Sequence, residues 1–222
     1  MQGAWEPFYS RTPSNGFFPW YPVLEGDWNG SWLDVRPSER IARGTFDKVP
    51  LILGTTTDEG TRFVEPDIAT QEQISSVLRT IFDFTFGAVE TILEPIWDLY
   101  PDDASAGSPF GSGLDTFGLA TSYKRAAAIV GDVLFQAPRR FLLRETPKDW
   151  GEDSWGYFYD ETKVRGAHDR FGVQHGADTR VWFGQPDEGD RSMRLLSKLM
   201  RAYMMSVSRC PPCHRGRRAD SL

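Results

Sequence analysis

The sequence predicts an α/β fold, and three observations carry that prediction. An unbroken apolar run, Val49 to Leu53, reads as a strand buried on both faces. Segments with apolar residues at helical spacing follow it, around residues 70–97, 123–143 and 191–205. An aromatic stretch, Ser154–Tyr159 (SWGYFY), supplies a second strand between the last two of these.

The elements follow in order. Residues 1–48 are dense in Trp, Phe, Pro and Gly, which forbids long helices, so an irregular segment with its aromatics pinned against the body is expected. Within it, RPSERIARGTFD (36–47) suggests a short helix closed by Gly44, and Asn29-Gly30-Ser31 forms a glycosylation sequon, used only in a secreted context. Gly54 is expected to end the strand after Leu53. The tripeptide Asp58-Glu59-Gly60 then sets two carboxylates at the strand's C-terminal mouth, where open α/β sheets bind ligands. Gly60 is read as the residue that lets the backbone turn sharply there. On its own such a tripeptide more often reads as a solvated turn.

Thr70 offers a cap for a helix carrying Ile74, Val77, Leu78, Ile81 and Phe82 on one face, with a break at Asp83–Phe86. Val89, Ile92, Leu93, Ile96 and Trp97 mark the next helix, which Pro101 closes. PDDASAGSPFGSG (101–113) is a loop whose spacing fits neither nucleotide fingerprint. From Tyr123 to Leu143 runs the longest helical pattern, with Ala127, Val130, Leu134 and Phe135 inward and Pro138 expected to kink or split it. Asp132 reads as a hydrogen-bonded structural acid. A glycine-punctuated loop, FGVQHGADTRVWFG, surrounds His175, and Arg191–Met205 is amphipathic with Met193, Leu196, Leu199, Met200 and Tyr203 inward.

Composition bounds the function. The 222 residues are 40% hydrophobic and 25% charged, enough for one good core or two small ones, and the net charge of −6 speaks against nucleic-acid binding. No apolar run approaches the ~20 residues of a membrane span. MQGAWEPFYS lacks the pattern of a secretory signal, so the compartment stays open. Both cysteines, Cys210 and Cys213, fall in the last thirteen residues, leaving the body to fold without disulfides.

His175 is the chain's candidate general base. An imidazole exchanges protons near neutrality once a carboxylate holds its tautomer, and Glu59, a strand-end acid 116 positions upstream, is available in the order acid-then-histidine of α/β-hydrolases. At this point the sequence resembles the type-B carboxylesterase/lipase family, cholinesterase-like α/β-hydrolases, and its fungal members above all. WYPVLEGDW, VPLILGTTTDEGTRF, YPDDASAGSPFGSG, YKRAAAIVGDVLFQAPRR and FGVQHGADTRVWFG are similar to family segments in the same order, from about Phe18 to Met205.

The resemblance implies the C-terminal part of an α/β-hydrolase fold over 1–207. It implies Glu59 as the triad acid with Asp58 its neighbour, His175 as the base, and a small-molecule ester with an apolar part as substrate. Phe82, Phe84 and Phe86 are candidates for the pocket wall, though core packing is their more ordinary role. No cofactor, nucleic-acid or membrane partner is implied, and the oligomeric state is open.

One departure is decisive: no serine in these 222 residues sits in a G-x-S-x-G elbow, and the glycine-rich oxyanion loop is absent. The family pattern puts both upstream of Met1. The expected consequences are a chain without ester hydrolysis of its own, and a VPLIL strand with unpaired edges that leaves it loose or poorly soluble unless the rest is supplied in trans. A non-catalytic interaction or adhesion module is the alternative, against which the retained acid and histidine both argue. Residues 208–222 depart from the family as a basic, unstructured tail. Its C-P-P-C-H run, Cys210 to His214, formally matches a haem-attachment or zinc pattern, but export and a fourth ligand are wanting, so no metal or cofactor site is assigned.

Overall fold

The structure, a computed structural model, describes residues 24–26, 28, 30–47, 49–85, 90–145, 154–161, 169–185 and 191–207. Asn29, Phe86, Cys210, Cys213 and His214 lie outside these, as do the side chains of Phe82 and Phe84, so the readings placed on them are not addressed by it.

Helix α1 (Pro37–Arg43) ends at Gly44, which adopts the left-handed conformation at φ 66° and caps the last carbonyls, as the glycine there predicts. The aromatics before it do not all pack: Trp28 is 58% and Trp32 82% exposed, against the expectation that they are pinned.

Strand β1 (Leu51–Thr56) starts two residues later than expected and runs straight through Gly54. A Cβ at Gly54 would stand 1.7 Å from the Tyr157 ring. The glycine is therefore no terminator; it makes room for an aromatic on the neighbouring strand. Nor is β1 buried on both faces: Leu51, Ile52 and Leu53 are half-buried, Val49 is exposed, and full burial comes only at Thr55 and Thr56. Strand β2 (Ser154–Tyr159) lies parallel beside it, Leu51 opposite Ser154 and Thr56 opposite Tyr159, so the two C-terminal ends coincide.

Helix α2 (Gln71–Thr85) opens on a reciprocal cap: the Gln73 N–H donates to Thr70 Oγ1 (3.3 Å) while the Thr70 N–H donates to Gln73 Oε1 (3.0 Å). It runs through Asp83 to Thr85 rather than breaking there. Helix α3 (Glu90–Leu99) follows. The expected long helix divides into α4 (Tyr123–Gly131), a π turn at Asp132–Gln136, and α5 (Ala137–Glu145). The wide turn falls just ahead of Pro138, which has no N–H to give Leu134 and whose ring crowds that carbonyl. Asp132 accepts the Tyr100 hydroxyl at 2.5 Å, the structural part expected of it.

The loop after β2 holds one helical turn the sequence reading missed, α6 (Thr179–Trp182), and α7 spans Arg191–Val207. Met193 on α7 is buried and Leu196 and Met200 pack beside it. Leu199 (59% exposed) and Tyr203 (41%) do not face inward as predicted; the Tyr203 ring stands edge-on to Trp155, on the flank of the sheet.

The main core lies between helices α2, α3 and α4, around Ile74, Leu78, Ile81, Ile96, Ile129 and Val130. Every residue of α4 is buried, and its polar side chains each tie down a separate segment. The Tyr123 hydroxyl donates to Thr61 O (2.8 Å), Lys124 Nζ to Gly113 O (2.6 Å), and Arg125 Nε to Tyr100 O (2.7 Å). A smaller cluster of Tyr159, Val173, Val181 and Met193 sits under the loop that carries His175. No helix among the described residues is long and apolar enough to cross a membrane.

Candidate active site

The ladder of β1 and β2 continues past their ends and builds the site. The Thr57 N–H donates to Tyr159 O at 3.1 Å, and the Asp58 N–H donates to Val173 O at 3.0 Å, where Asp58 forms a parallel bridge with Gln174. The strand that delivers the acids is thereby paired with the loop that delivers the histidine. Glu59 opens a 3₁₀ turn (Glu59–Arg62) at the mouth of β1, the position expected for it.

Gly60 does not have a positive φ, so its part is not the sharp turn predicted. A Cβ there would stand 2.0 Å from the Ala127 carbonyl oxygen and 2.5 Å from the Gly131 nitrogen. The acid turn lies backbone against backbone on α4, and Gly60 and Gly131 are the residues that permit it. Around His175, Gly172 (φ 53°) and Gly176 (φ 77°) take the left-handed conformation that the tight loop requires.

Glu59 and His175, 116 residues apart in sequence, meet: Nδ1 of His175 lies 2.5 Å from Glu59 Oε2. The other carboxylate oxygen, Oε1, accepts the Thr56 N–H at 2.7 Å. A carboxylate only accepts, so the imidazole proton shared in this contact sits on Nδ1 and a neutral ring carries its free lone pair on Nε2. The acid end is buried, with the Glu59 side chain 5% exposed, while the imidazole is 47% exposed. Its ring packs edge-on to Phe63 (5.3 Å between centroids) and tilted against Phe135 (4.7 Å), which fix its plane.

The sequence reading found both members of this pair but not what braces them. Phe135 was expected only to face the core. Asp58 was only a neighbour, and Ser108 belonged to a loop given no part. In the structure Ser108 Oγ and the Phe110 N–H both donate to Asp58 Oδ1, at 2.7 and 2.9 Å. No local pattern marks such contacts, since the partners lie 50 or more residues apart. Tyr157 reinforces the histidine loop from β2: its hydroxyl donates to Asp178, and Trp182 Nε1 donates to the Tyr157 oxygen at 2.8 Å. Burial and the Asp178 carboxylate hold the Tyr157 phenol well above its ordinary range. Among the described residues no group of three or more His, Cys, Asp or Glu is disposed to hold a metal ion.

The chain is similar to known proteins over most of its length. The chain is 36% identical to Lipase 2 of Geotrichum candidum over 150 residues, which is 67% of the chain and 25% of that lipase. It is 31% identical over 176 residues to a secreted triacylglycerol lipase of Gibberella zeae, covering 75% of the chain and 28% of the relative. Among solved structures, EstA of Aspergillus niger superposes with a TM-score of 0.59 at 19% identity, over 81% of the chain and 33% of EstA. A PNB esterase gives 0.54 at 21% identity, over 80% and 32%. The chain thus spans about a quarter of the curated relatives and about a third of the solved structures it matches, and its fold is part of the α/β-hydrolase fold. The model of the carboxylesterase family matches residues 5–207, and the chain belongs to that family.

Proposed function

We propose that these residues carry the acid and base of a serine esterase, with His175 as general base and Glu59 orienting it. The substrate class is a carboxylic ester with an apolar part. The 2.5 Å contact between His175 Nδ1 and the buried Glu59 carboxylate carries this reading. It leaves the Nε2 lone pair of the half-exposed imidazole to take a proton from a hydroxyl. Glu59 holds the tautomer and stabilises the imidazolium formed when that proton arrives; it does not itself become protonated. The Phe63 and Phe135 rings keep the imidazole from swinging away from the attacking group.

The hydroxyl is not among these residues, for no serine here has the glycines of a nucleophile elbow. The pair acts on a serine contributed by the portion of the family fold that these residues do not span. The 222 residues by themselves hydrolyse no ester above background.

The experiment has two arms. The pure chain is assayed with a p-nitrophenyl ester, where turnover above buffer would overturn the proposed dependence on an outside serine. Residues 5–207 are then joined to the upstream part of Lipase 2 of Geotrichum candidum in place of its own matching segment. This chimera is expected to hydrolyse esters, H175A to lower kcat by about 10⁴-fold or more, and E59Q by about 10³–10⁴-fold. An active chimera indifferent to both substitutions would refute the assignment.

A further inference from the structure

We infer that Asp58 is a positioning residue whose buried carboxylate clamps the histidine loop to the acid turn and so sets the Glu59–His175 contact; the inference rests on the acid–base reading above. Asp58 is 3% exposed, and among the described residues no cationic side chain forms an ion pair with it. Three neutral donors from two other segments meet its charge instead. Oδ1 accepts the Ser108 hydroxyl and the Phe110 N–H, and Oδ2 accepts the Val173 N–H at 2.8 Å.

The two adjacent carboxylates divide the work. Glu59 reaches the imidazole, while Asp58 reaches the backbone two residues before it. The Ser108–Phe110 loop braces that carboxylate from the far side. Space for it is reserved: a Cβ at Gly172 would lie 2.3 Å from Asp58 Oδ2.

All three partners donate, which explains why the residue is an aspartate. An asparagine of the same shape must turn its NH₂ toward either the Val173 or the Phe110 N–H, and neither backbone donor can rotate away. One end of the clamp is lost in either orientation. The thread from Ser108 through Asp58 to Val173 then no longer holds His175 at its distance.

The test reads the clamp without requiring turnover. In the full chain labelled with ¹⁵N, the His175 Nδ1–H is followed as a far-downfield proton, assigned by its disappearance in E59Q. In D58N its exchange with water is expected to quicken on the order of tenfold to a hundredfold, since one buried donor loses its acceptor. S108A removes one donor of three and is expected to quicken it severalfold; it decides the matter if D58N does not fold. The Ile129 and Val130 amides in the last turn of α4, which are 0% exposed, are expected to exchange as in the parent chain. An unchanged Nδ1–H in both variants, or an equal acceleration at Ile129 and Val130, would show Asp58 to be an ordinary structural acid and overturn the inference. A parent chain in which no such proton responds to E59Q would instead sink the acid–base reading, and the clamp with it.

Discussion

Replacing Gly60 with alanine is the sharpest test of how the acid turn is held. The added Cβ would stand 2.0 Å from the Ala127 oxygen, 2.5 Å from the Gly131 nitrogen and 3.0 Å from the Ala127 carbonyl carbon. All three obstacles are backbone atoms of a wholly buried helix, so no side chain can swing aside. Relief requires the turn and α4 to part by an ångström or more, which opens the packing around Thr61 and Tyr123. Overpacking of this kind costs about 3 kcal/mol or more. For a chain of this length that is a fall in Tm of about 6–12 °C, with a matching loss in urea midpoint. G131A, whose Cβ would meet Gly60 N at 3.0 Å, is expected to cost less. G54A provides the contrast, because its obstacle is the Tyr157 ring, so trimming that ring in G54A/Y157A should recover part of the loss. Melts followed by circular dichroism would decide it, and a G60A variant within about 1 °C of the parent would refute the backbone-to-backbone contact.

Alkaline stability tests the buried phenols. Burial pushes the Tyr123 pKa up to about 12, against a value near 10 in the unfolded chain. Between those pH values the native state keeps a proton that the unfolded state has released. Stability is therefore full below about pH 10 and falls as pH rises, by up to about 3 kcal/mol from Tyr123 alone. Y123F should flatten the decline in urea midpoint between about pH 10 and 12, at a cost of about 1 kcal/mol at pH 8 for the lost bond to Thr61. An unchanged slope would refute it. Hydrogen exchange tests the uneven core. Amides of β1, half-buried at Leu51–Leu53 and paired only with β2 among the described residues, should exchange far faster than those of Ile129 and Val130, which are 0% exposed. Equal protection in both would contradict the placing of the core between the helices.

What the sequence disclosed, and what it withheld, follows from the range of the interactions concerned. Helices announce themselves through spacing within a few residues. The Thr70 cap, the Gly44 stop, the disruption near Pro138 and the buried stripe of α2 were all readable for that reason. The meeting of Glu59 with His175 was readable through their order and the family resemblance, although 116 residues separate them. Glycines were misread because one-dimensional sequence cannot separate a glycine that turns the chain from one that admits a neighbour. Gly54 looked like a strand's end until Tyr157 was seen on the next strand, and Gly60 looked like a turn until α4 lay against it. Leu199 and Tyr203 obeyed helical periodicity yet missed the core, since the covered arc of α7 is set by where β2 and the histidine loop lie and not by the helix itself.

The same distinction explains why the acid–histidine pair is so heavily supported by bonds that cross between its two segments and out to β2 and α4. A 2.5 Å contact between a turn and a loop survives thermal motion only if both backbones are held, and neither segment is long enough to hold itself. Asp58 and the Tyr159–Thr57 and Val173–Asp58 backbone bonds fasten the two to each other. Thr61 adds a further tie through its hydroxyl, which lies 2.9 Å from Phe171 O, and Tyr123 anchors the turn to α4. These fastenings cross between segments 62 to 115 residues apart, so the geometry of the pair is a property of the packed chain and not of the motif that names it. Loosening any one of them should therefore leave the residues of the motif intact while degrading the contact between Glu59 and His175.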